Sequence, residues 1–378
     1  MANETAEFQV LESNKQFTTN FYNLLAERPG NVFFSPISVH AVLSMSYQGA
    51  KGTTAEKFAS TLKVPAAANV ADGYRVVMNR LRSIPNVTLL MANSVYLMEN
   101  YQLLPEFNKV ITKDFLSDVQ VLNFAENEAA AARINAWVEE NTKEKIKNLI
   151  NKNDLSALTR LVLVNAIYFK GSWMHKFNKE LTRTGAFYIN DIDSVDVQMM
   201  HTKRRFYYTI DETLGAQILA LPYSNEDLSM LIILPYEKNG IAELEKKLTS
   251  ANLTEITQRM KHIEVNVTLP KFKIEQTIDL KHSLTQFGLG EIFSPAANFS
   301  GMITANEELY VGKAIHKAFI EVNEEGAEAA AATAKIIVKR CGKPPPRHFQ
   351  ADHPFLYFLS EKRENHLFVG RLLNPASE

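Results

Sequence analysis

The stretch that decides the fold reads IHKAFIEVNEEGAEAAAATAKIIVKRC and runs from Ile315 to Cys341. Its first part, Ile315 to Val322, alternates well enough to predict a half-buried strand. Its middle part, Ala327 to Ala334, is almost all alanine. It ends in Lys339-Arg340, a site that a trypsin-like protease would cut. Small side chains next to a cleavable bond indicate a loop that is cut and then packs elsewhere.

This stretch resembles the reactive-centre loop of the serpins, and the resemblance covers nearly the whole chain. Further segments match serpin elements in the family's order, from a helix that begins with a Ser-Pro turn to the C-terminal signature. They are NVFFSPISVHAVLSMSYQGAKGTTAEKF (31–58), INAWVEENTKEKIKNLI (134–150, the helix across the main sheet), LVLVNAIYFKGSW (161–173), LPKFKIE (269–275), ADHPFLYFL (351–359) and LFVGRLLNP (367–375). The hinge wording EVNEEGAEAAAAT is most similar to that of arthropod serpins.

Local patterns place helices and strands in separate runs, which favours an α+β fold over a doubly wound sheet. The resemblance implies the serpin fold: one domain over residues 1–378, with about nine helices and three β-sheets. Its reactive-centre loop spans about 325–346. Helical spacing predicts helices over 12–25, 38–48, 53–62, 71–84, 241–248 and 252–260, with another near 280–287. Buried strands are predicted over 87–97 and 161–168, and alternating strands between 187 and 235.

Composition narrows the function classes. The 378 residues carry 41 basic and 42 acidic side chains, a net charge of -1, which argues against a nucleic-acid-binding surface. No apolar run is long enough to span a membrane. Met1 to Phe8 has no hydrophobic signal core, so the protein is either cytosolic or secreted with a signal peptide that is absent from this sequence. We expect a secreted protein, with a cytosolic protein as the alternative. Cys341 is the only cysteine, so no internal disulfide forms. We expect a monomer.

Catalytic motifs are missing from the sequence. There is no GxSxG, HExxH, CxxC or Walker A pattern, and the nine histidines show no metal-ligand spacing. The absence of these motifs argues against an enzyme, and the serpin resemblance implies an inhibitor of serine endopeptidases, with no required cofactor and no metal.

The resemblance implies suicide inhibition, in which the cut loop inserts into the main sheet as a new strand and traps the acyl-enzyme. Counting from the hinge glycine Gly326 places the reactive bond at Arg340-Cys341, and Arg340 would pair with the aspartate of a trypsin-like pocket. Counting back from the C-terminal side would instead select Lys343-Pro344, which proteases rarely cut. A proprotein convertase is a further candidate target, because Lys339-Arg340 is dibasic.

The hinge residues by resemblance are Glu324, Glu325, Gly326, Ala327, Ala329, Ala331 and Thr333. One parity of the inserting strand must face the core, and from Ala327 to Thr333 that parity carries only small, uncharged side chains. Lys335 continues the inward parity, and burying an unpaired ammonium group is costly. We therefore predict that Lys335→Val changes the insertion rate.

Two polar groups by resemblance hold the uncut state. The shutter cluster comprises Ser35, Ser38, Asn165 and His316, under the main sheet where its strands part. The breach cluster comprises Trp173, Lys271 and Glu324, where the loop first enters, and a Lys271–Glu324 ion pair there would keep the sheet closed. A buried hydrogen-bonded cluster of this kind can rearrange when a strand enters.

Basic clusters suggest an accelerating cofactor, a heparin-like glycosaminoglycan. The candidates are Arg75, Arg80 and Arg82 on one helix, with Lys203, Arg204, Arg205 and Lys261 elsewhere. Clusters like these are more often solvated surface. The main functional prediction is an inhibitor of trypsin-like proteases that acts in an extracellular immune cascade. The alternative is a non-inhibitory serpin that works as a carrier, storage protein or chaperone.

Overall fold

The computed structural model describes residues 2–304, 308–326 and 345–377. The described residues form nine α-helices. They are α1 (Ala2–Ala26), α2 (Pro36–Gly49), α3 (Gly52–Leu62), α4 (Ala67–Arg82), α5 (Pro105–Asp114), α6 (Asn127–Asn141), α7 (Ile241–Leu248), α8 (Leu253–Gln258) and α9 (Leu280–Leu284). None of these helices is long and apolar enough to cross a membrane.

Fourteen strands accompany the helices. They are β1 (Val32–Phe34), β2 (Val87–Met98), β3 (Asp118–Leu122), β4 (Leu161–Gly171), β5 (Arg183–Tyr188), β6 (Ser194–Asp211), β7 (Ala216–Pro222), β8 (Leu228–Pro235), β9 (Lys261–Pro270), β10 (Phe272–Asp279), β11 (Val311–Val322), β12 (Arg347–Gln350), β13 (Phe355–Glu361) and β14 (Asn365–Leu372). Helices and strands occur in separate runs, and the α+β class is confirmed.

The strands lie in two hydrogen-bonded sheets. One has five strands in the order β10-β11-β4-β2-β3, and the other has nine, in the order β1-β14-β13-β8-β7-β6-β9-β12 with β5 on β6. We expected three sheets. The long strand β6 accounts for the difference, because it pairs in turn with β5, β9 and β7 and so joins two of the expected sheets into one network.

The chain forms two compact units. The first comprises Met1–Phe169, Glu275–Phe319 and Asn365–Val369, and the second comprises Lys170–Ile274, Ile320–Glu364 and Gly370–Glu378. Four strands, β4, β10, β11 and β14, run from one unit into the other. The single domain over residues 1–378 stays a prediction.

In the first unit, α6 packs across the five-stranded sheet. Ile134 and Val138 of α6 share a buried apolar cluster with Val162 and Val164 of β4. This helix ends at Asn141, so its expected extension to Ile150 was wrong. Backbone geometry explains the early end, because Lys143, Glu144 and Asn148 have φ angles of 49°, 60° and 51°, outside the right-handed helical region.

Strand β11 pairs with β4 in parallel, from Val311 opposite Leu161 to Phe319 opposite Tyr168. We expected a half-buried strand here, but the strand is buried on both faces, with Ile315 at 4% and His316 at 0% exposure. Ile315 belongs to the apolar cluster beneath α6, whereas His316 bonds to the chain just before α2. Parallel strands are usually covered on both faces in this way.

Helix starts were less well predicted than helix interiors. Helix α1 begins at Ala2, ten residues before the predicted Glu12, because Ala6 and Val10 extend its buried stripe upstream at a spacing of four. Helix α7 has the predicted bounds.

In the second unit, strands β7 and β8 form the centre of an antiparallel arrangement, from Ala216 opposite Pro235 to Pro222 opposite Ser229. Every residue of β8 is buried. A strand that is buried on both faces needs a continuous run of apolar residues. The five residues from Met230 to Leu234 are all apolar.

Candidate functional site

The shutter cluster begins at the start of α2. Ser35 caps this helix: its φ and ψ are -105° and 104°, and its Oγ accepts a hydrogen bond from the Ser38 N–H at 3.3 Å. The same Oγ donates to the Leu367 carbonyl at 2.6 Å. Pro36 follows at the first helical position, where its missing N–H costs nothing. The Ser-Pro pair therefore fixes both the helix start and the position of the hydroxyl.

Asn165 of β4 is the hub of this cluster. Its Nδ2 donates to the Ser38 carbonyl at 2.9 Å, to Ser38 Oγ at 2.6 Å and to Asn93 Oδ1 at 2.6 Å. Its Oδ1 bonds to Nδ1 of His316. Ser35, Ser38, Asn165 and His316 are all fully buried. Each of these polar groups is thus satisfied inside the protein, as burial demands.

The hydrogen bonds define the tautomer of His316. The Ser35 N–H points at Nε2 across 3.2 Å, so Nε2 must accept. Nδ1 therefore carries the proton and donates to Asn165 Oδ1. Burial lowers the pKa of His316 to about 3, which keeps the ring neutral at physiological pH. His316 and Asn165 are also direct partners in the β11–β4 register, so their bond ties these two strands together.

The four shutter residues predicted from the sequence therefore meet in one cluster. Asn93 of β2, which is 4% exposed, joins them and was missed. A polar side chain in an otherwise apolar strand was the available signal, and its parity could have been read from the predicted strand. Any separation of β4 from β11 must break the bond between His316 and Asn165.

The breach cluster lies in the second unit. Glu324 is 5% exposed, and its carboxylate accepts hydrogen bonds from Lys271 Nζ at 2.9 Å and from Thr182 Oγ1 at 2.8 Å. Burial alone would raise the pKa of Glu324, but the hydrogen bonds from Lys271 and Thr182 outweigh burial and lower it. The expected Lys271–Glu324 ion pair is present, and Thr182 is a partner that sequence reasoning missed.

Trp173 joins the segment after β4 to the segment after β11. Its Nε1–H donates to the Asn323 carbonyl at 2.9 Å, and its backbone N–H donates to the Glu325 carbonyl at 2.9 Å. Its indole stacks on Tyr223 with ring centroids 4.5 Å apart. Phe177 adds a further backbone bond to the Glu324 carbonyl at 2.9 Å. These contacts hold the chain just before the hinge against the end of β4.

Gly326 is the last hinge residue that the structure describes. Its φ is +87°, and a Cβ atom there would lie 2.5 Å from both the Gly171 carbonyl oxygen and the Trp173 nitrogen. Only glycine fits such a position. Glu325 pairs with Lys179 at 2.6 Å. The other predicted hinge residues and the reactive bond lie outside the described residues; they are Ala327, Ala329, Ala331, Thr333, Arg340 and Cys341.

Comparison with known proteins now gives the family. Residues 12–375 match the family described as Serpin (serine protease inhibitor). The chain is a serpin. The family's description is that of serine protease inhibitors and not of enzymes, and serine proteases are its partner class. The predicted fold and the predicted family are both confirmed.

Three relatives illustrate the match. Human leukocyte elastase inhibitor is 37% identical, covering 97% of this chain and 100% of its own. The structure of Serpin48, described as a highly specific serpin in the insect Tenebrio molitor, is 31% identical with a TM-score of 0.88, covering 97% and 98% of the two chains. Human thyroxine-binding globulin, solved with its hormone, is 28% identical with a TM-score of 0.89, covering 98% and 100%. This serpin thus resembles both insect and mammalian members.

The three arginines on α4 that were predicted to bind a glycosaminoglycan already interact with other groups of this serpin. Arg75 pairs with Asp72 at 2.8 Å and with Asp114 at 3.3 Å, and Arg80 pairs with Glu7 at 2.5 Å. An ion pair with a carboxylate neutralises much of the field that an anionic polymer would feel. Arg82 donates to the Leu116 carbonyl. A glycosaminoglycan site on α4 stays a prediction.

The second basic group lies on β6 and β9. Lys203 lies 3.6 Å from Glu264, and Arg205 donates to the His262 carbonyl. Arg204 and Lys261 are exposed. Across the described ranges no group of three or more His, Cys, Asp or Glu side chains is arranged to hold a metal ion.

Proposed function

We propose that this serpin is a suicide inhibitor of trypsin-like serine proteases, cleaved between Arg340 and Cys341. The observation that carries the proposal is the direct pairing of β4 with β11 across a buried polar cluster. Strands β4 and β11 are direct neighbours in the uncut protein. If they separate, a further strand can enter the sheet between them. The breach contacts of Trp173 and Glu324 lie where each of these strands ends.

The energetics of insertion favour trapping once the loop is cut. An added central strand makes roughly ten or more hydrogen bonds, each contributing about 1 kcal/mol net. The inward parity of the hinge, Ala327 to Thr333, buries no charge in that strand. The bonds of Asn165 and His316 must first rearrange, so the shutter sets a barrier that delays insertion until cleavage.

The proposal that the target is a trypsin-like protease is based on Arg340 and not on the targets of the relatives. Human leukocyte elastase inhibitor carries the name of an inhibitor of elastase, whose specificity pocket is small, so the family relationship leaves the target of this chain open. Arginine at the cleaved position fits a pocket with an aspartate at its base. Lys343-Pro344 and a proprotein convertase are the alternative bond and the alternative target.

A second candidate function is that of a carrier. Thyroxine-binding globulin has the same fold and is complexed with thyroxine, which supports the non-inhibitory alternative. The small residues after Gly326 favour inhibition over this alternative, because bulky or charged side chains would be expected in a loop that never inserts.

The biological setting is also part of the proposal. We propose an extracellular site of action in an immune protease cascade, with a cytosolic location as the alternative. A heparin-like polymer is the proposed accelerator of inhibition. Its candidate site lies on two strands that pair with each other, which carry Lys203, Arg204, Arg205 and Lys261. Inhibition rates measured with and without heparin would test this.

The test of the main proposal is incubation with trypsin, followed by a denaturing gel and mass spectrometry. We expect a detergent-stable complex and a released peptide from Cys341 to Glu378. Arg340→Ala should abolish the complex, and Lys339→Ala, the matched control, should retain it. Cleavage after Arg340 without a complex would refute inhibition and favour the carrier. Restoration of the complex by Lys335→Val would instead assign the failure to slow insertion.

A further inference from the structure

An open pocket of about 400 Å³ lies in the second unit, and none of its lining residues belongs to the shutter or breach cluster. Its floor is one face of the β6–β7–β8 region. Tyr207 pairs with Ala220, and Pro222 pairs with Ser229, so alternate residues of these strands point to the same side. A volume of several hundred Å³ is typical of sites for small organic molecules.

Basic side chains from two elements converge on this pocket. Arg205 comes from β6, and Lys362 and Arg363 come from the turn between β13 and β14. Both turn residues have positive φ angles, 52° and 62°, which is uncommon for residues other than glycine. The Lys362 N–H donates to the Asp227 carbonyl at 2.6 Å, which fixes the turn. Two long basic side chains are thus held at the pocket by a backbone conformation that they disfavour.

The guanidinium of Arg363 lies over an aromatic ring. Its Cζ is 4.0 Å from the ring centroid of Tyr207, and Tyr207 in turn lies 5.2 Å from the ring of His262. Tyr207 is 42% exposed, although its ring is large and apolar. Stacking of this kind pre-orients a guanidinium and leaves its edge N–H groups available to an anion. The result is an exposed aromatic surface bordered by cationic groups.

Ser229 supplies an independent observation. The residue is 6% exposed, and its Oγ is buried without any hydrogen-bond partner among the described residues. Ser229 lines the same pocket. A buried hydroxyl without a partner destabilises a protein, so such groups in native proteins call for an explanation. A bound molecule that accepts or donates a hydrogen bond at the pocket floor would provide the partner.

The remaining walls define the charge and shape of the occupant. Phe206 and Met174 add apolar surface, and Glu226 and Asp227 lie exposed at the rim. Three basic side chains face two acidic ones, so the pocket suits one negative charge better than two. Burial, together with the nearby Arg204 and His262, lowers the pKa of His175, so this ring adds no charge at neutral pH.

We propose that this pocket binds a small organic monoanion with a planar apolar body, such as an aromatic carboxylate. The carboxylate takes the N–H groups of Arg363 and Arg205, the ring system lies over the pocket floor beside Tyr207, and the inner polar edge bonds to Ser229. The site uses none of the shutter, breach or hinge residues that the structure describes, so we expect binding to be independent of protease inhibition.

The test is isothermal titration calorimetry of the full chain with 2-naphthoate. We expect binding of one molecule, with at least about tenfold weaker binding of the neutral 2-naphthamide and of the dianion 2-naphthyl phosphate, since a charge-assisted hydrogen bond contributes on that scale. Arg363→Met and Ser229→Val should each weaken 2-naphthoate binding by about tenfold. Arg133→Met, an exposed arginine on α6, is the matched control and should leave binding unchanged.

Two outcomes would overturn the proposal. One is no binding of 2-naphthoate to the wild-type chain, and the other is equal binding of the acid and its amide, which would mean that the basic side chains are not used. Thermal unfolding of each variant would identify loss of the fold. If Ser229→Val unfolds, the smaller Ser229→Ala replaces it, and unchanged affinity in that variant would remove Ser229 from the site.

Discussion

Glu324→Gln should speed the conversion of the uncut protein to inserted or polymeric forms. The Glu324 carboxylate accepts hydrogen bonds from Lys271 at 2.9 Å and from Thr182 at 2.8 Å. Glutamine keeps the size of the side chain but removes the charge, and its amide group places a donor where an acceptor is needed. The contact therefore weakens without leaving a cavity, so a change in rate would report the lost charge and not lost packing.

The magnitude follows from the exposure of the two partners. A hydrogen bond to a charged group contributes about 1.5–3 kcal/mol when it is buried. The Lys271 side chain is 38% exposed, and solvent screening lowers the contribution of the pair to about 1–2 kcal/mol. If this contact is lost before the sheet opens, the conversion rate rises by about 5- to 30-fold, since 1.4 kcal/mol corresponds to a factor of ten.

The assay is a native gel after mild heating, sampled over time at pH 7. Glu325→Gln is the matched control, because it makes the same change at the next residue. Glu325 pairs with Lys179, which is 66% exposed and screened by solvent, so that variant should convert within about twofold of the wild-type rate. Equal rates for Glu324→Gln and the wild type would refute the proposal that Glu324 holds the sheet closed.

Acid should remove the advantage of the wild type over Glu324→Gln. The pKa of Glu324 is lowered in the folded protein, so the carboxylate stabilises it fully above the ordinary glutamate pKa and progressively less as the pH falls through the lowered value. The two conversion rates should therefore converge at acidic pH. Rates that differ equally at every pH would contradict this assignment.

Three further predictions concern the shutter and the hinge. Asn165→Ala leaves several buried partners unsatisfied at about 1–3 kcal/mol each, so native gels should show faster polymerisation than for Asn153→Ala, an exposed control; equal rates would contradict this. The pKa of His316 is about 3 when folded and about 6.5 when unfolded, so its contribution to the free energy of unfolding is complete above pH 6.5 and should fall by about 1–2 kcal/mol by pH 5. Denaturant titrations at both pH values should show a smaller loss for His316→Gln, and an equal loss would exclude His316 as a source. Gly326→Ala should lower the thermal midpoint more than Gly30→Ala, because both glycines have similar positive φ angles but only Gly326 has backbone atoms in the way; equal shifts would show that the close contact is unimportant.

Local patterns in the sequence predicted those elements whose stability depends on nearby residues. The apolar run from Leu161 to Tyr168 predicted a buried strand, and β4 contains it. The spacing from Ile241 to Leu248 gave both ends of α7. Resemblance to the serpin helix across the main sheet extended α6 to Ile150, because the resemblance does not reveal the positive φ angles that end this helix.

The shutter residues were predicted by resemblance to a family, since nothing in their spacing joins positions 35, 165 and 316. The structure brings them together because Asn165 and His316 are register partners on paired strands. It also adds Thr182, whose sequence neighbourhood gave no reason to choose it over other polar residues, and Asn93, whose polar side chain within strand β2 was a signal left unused.

The sequence by itself determined the α+β class, most of the elements, the family and the cleavable Lys339-Arg340, because each is written in local composition, periodicity or motif order. Only the tertiary structure decided that β11 is buried on both faces, which tautomer His316 adopts, and that the Ser229 hydroxyl has no partner among the described residues although it lines the same pocket as Arg363. These properties depend on atoms contributed by distant parts of the chain, and the packing of strands and helices alone brings those atoms together.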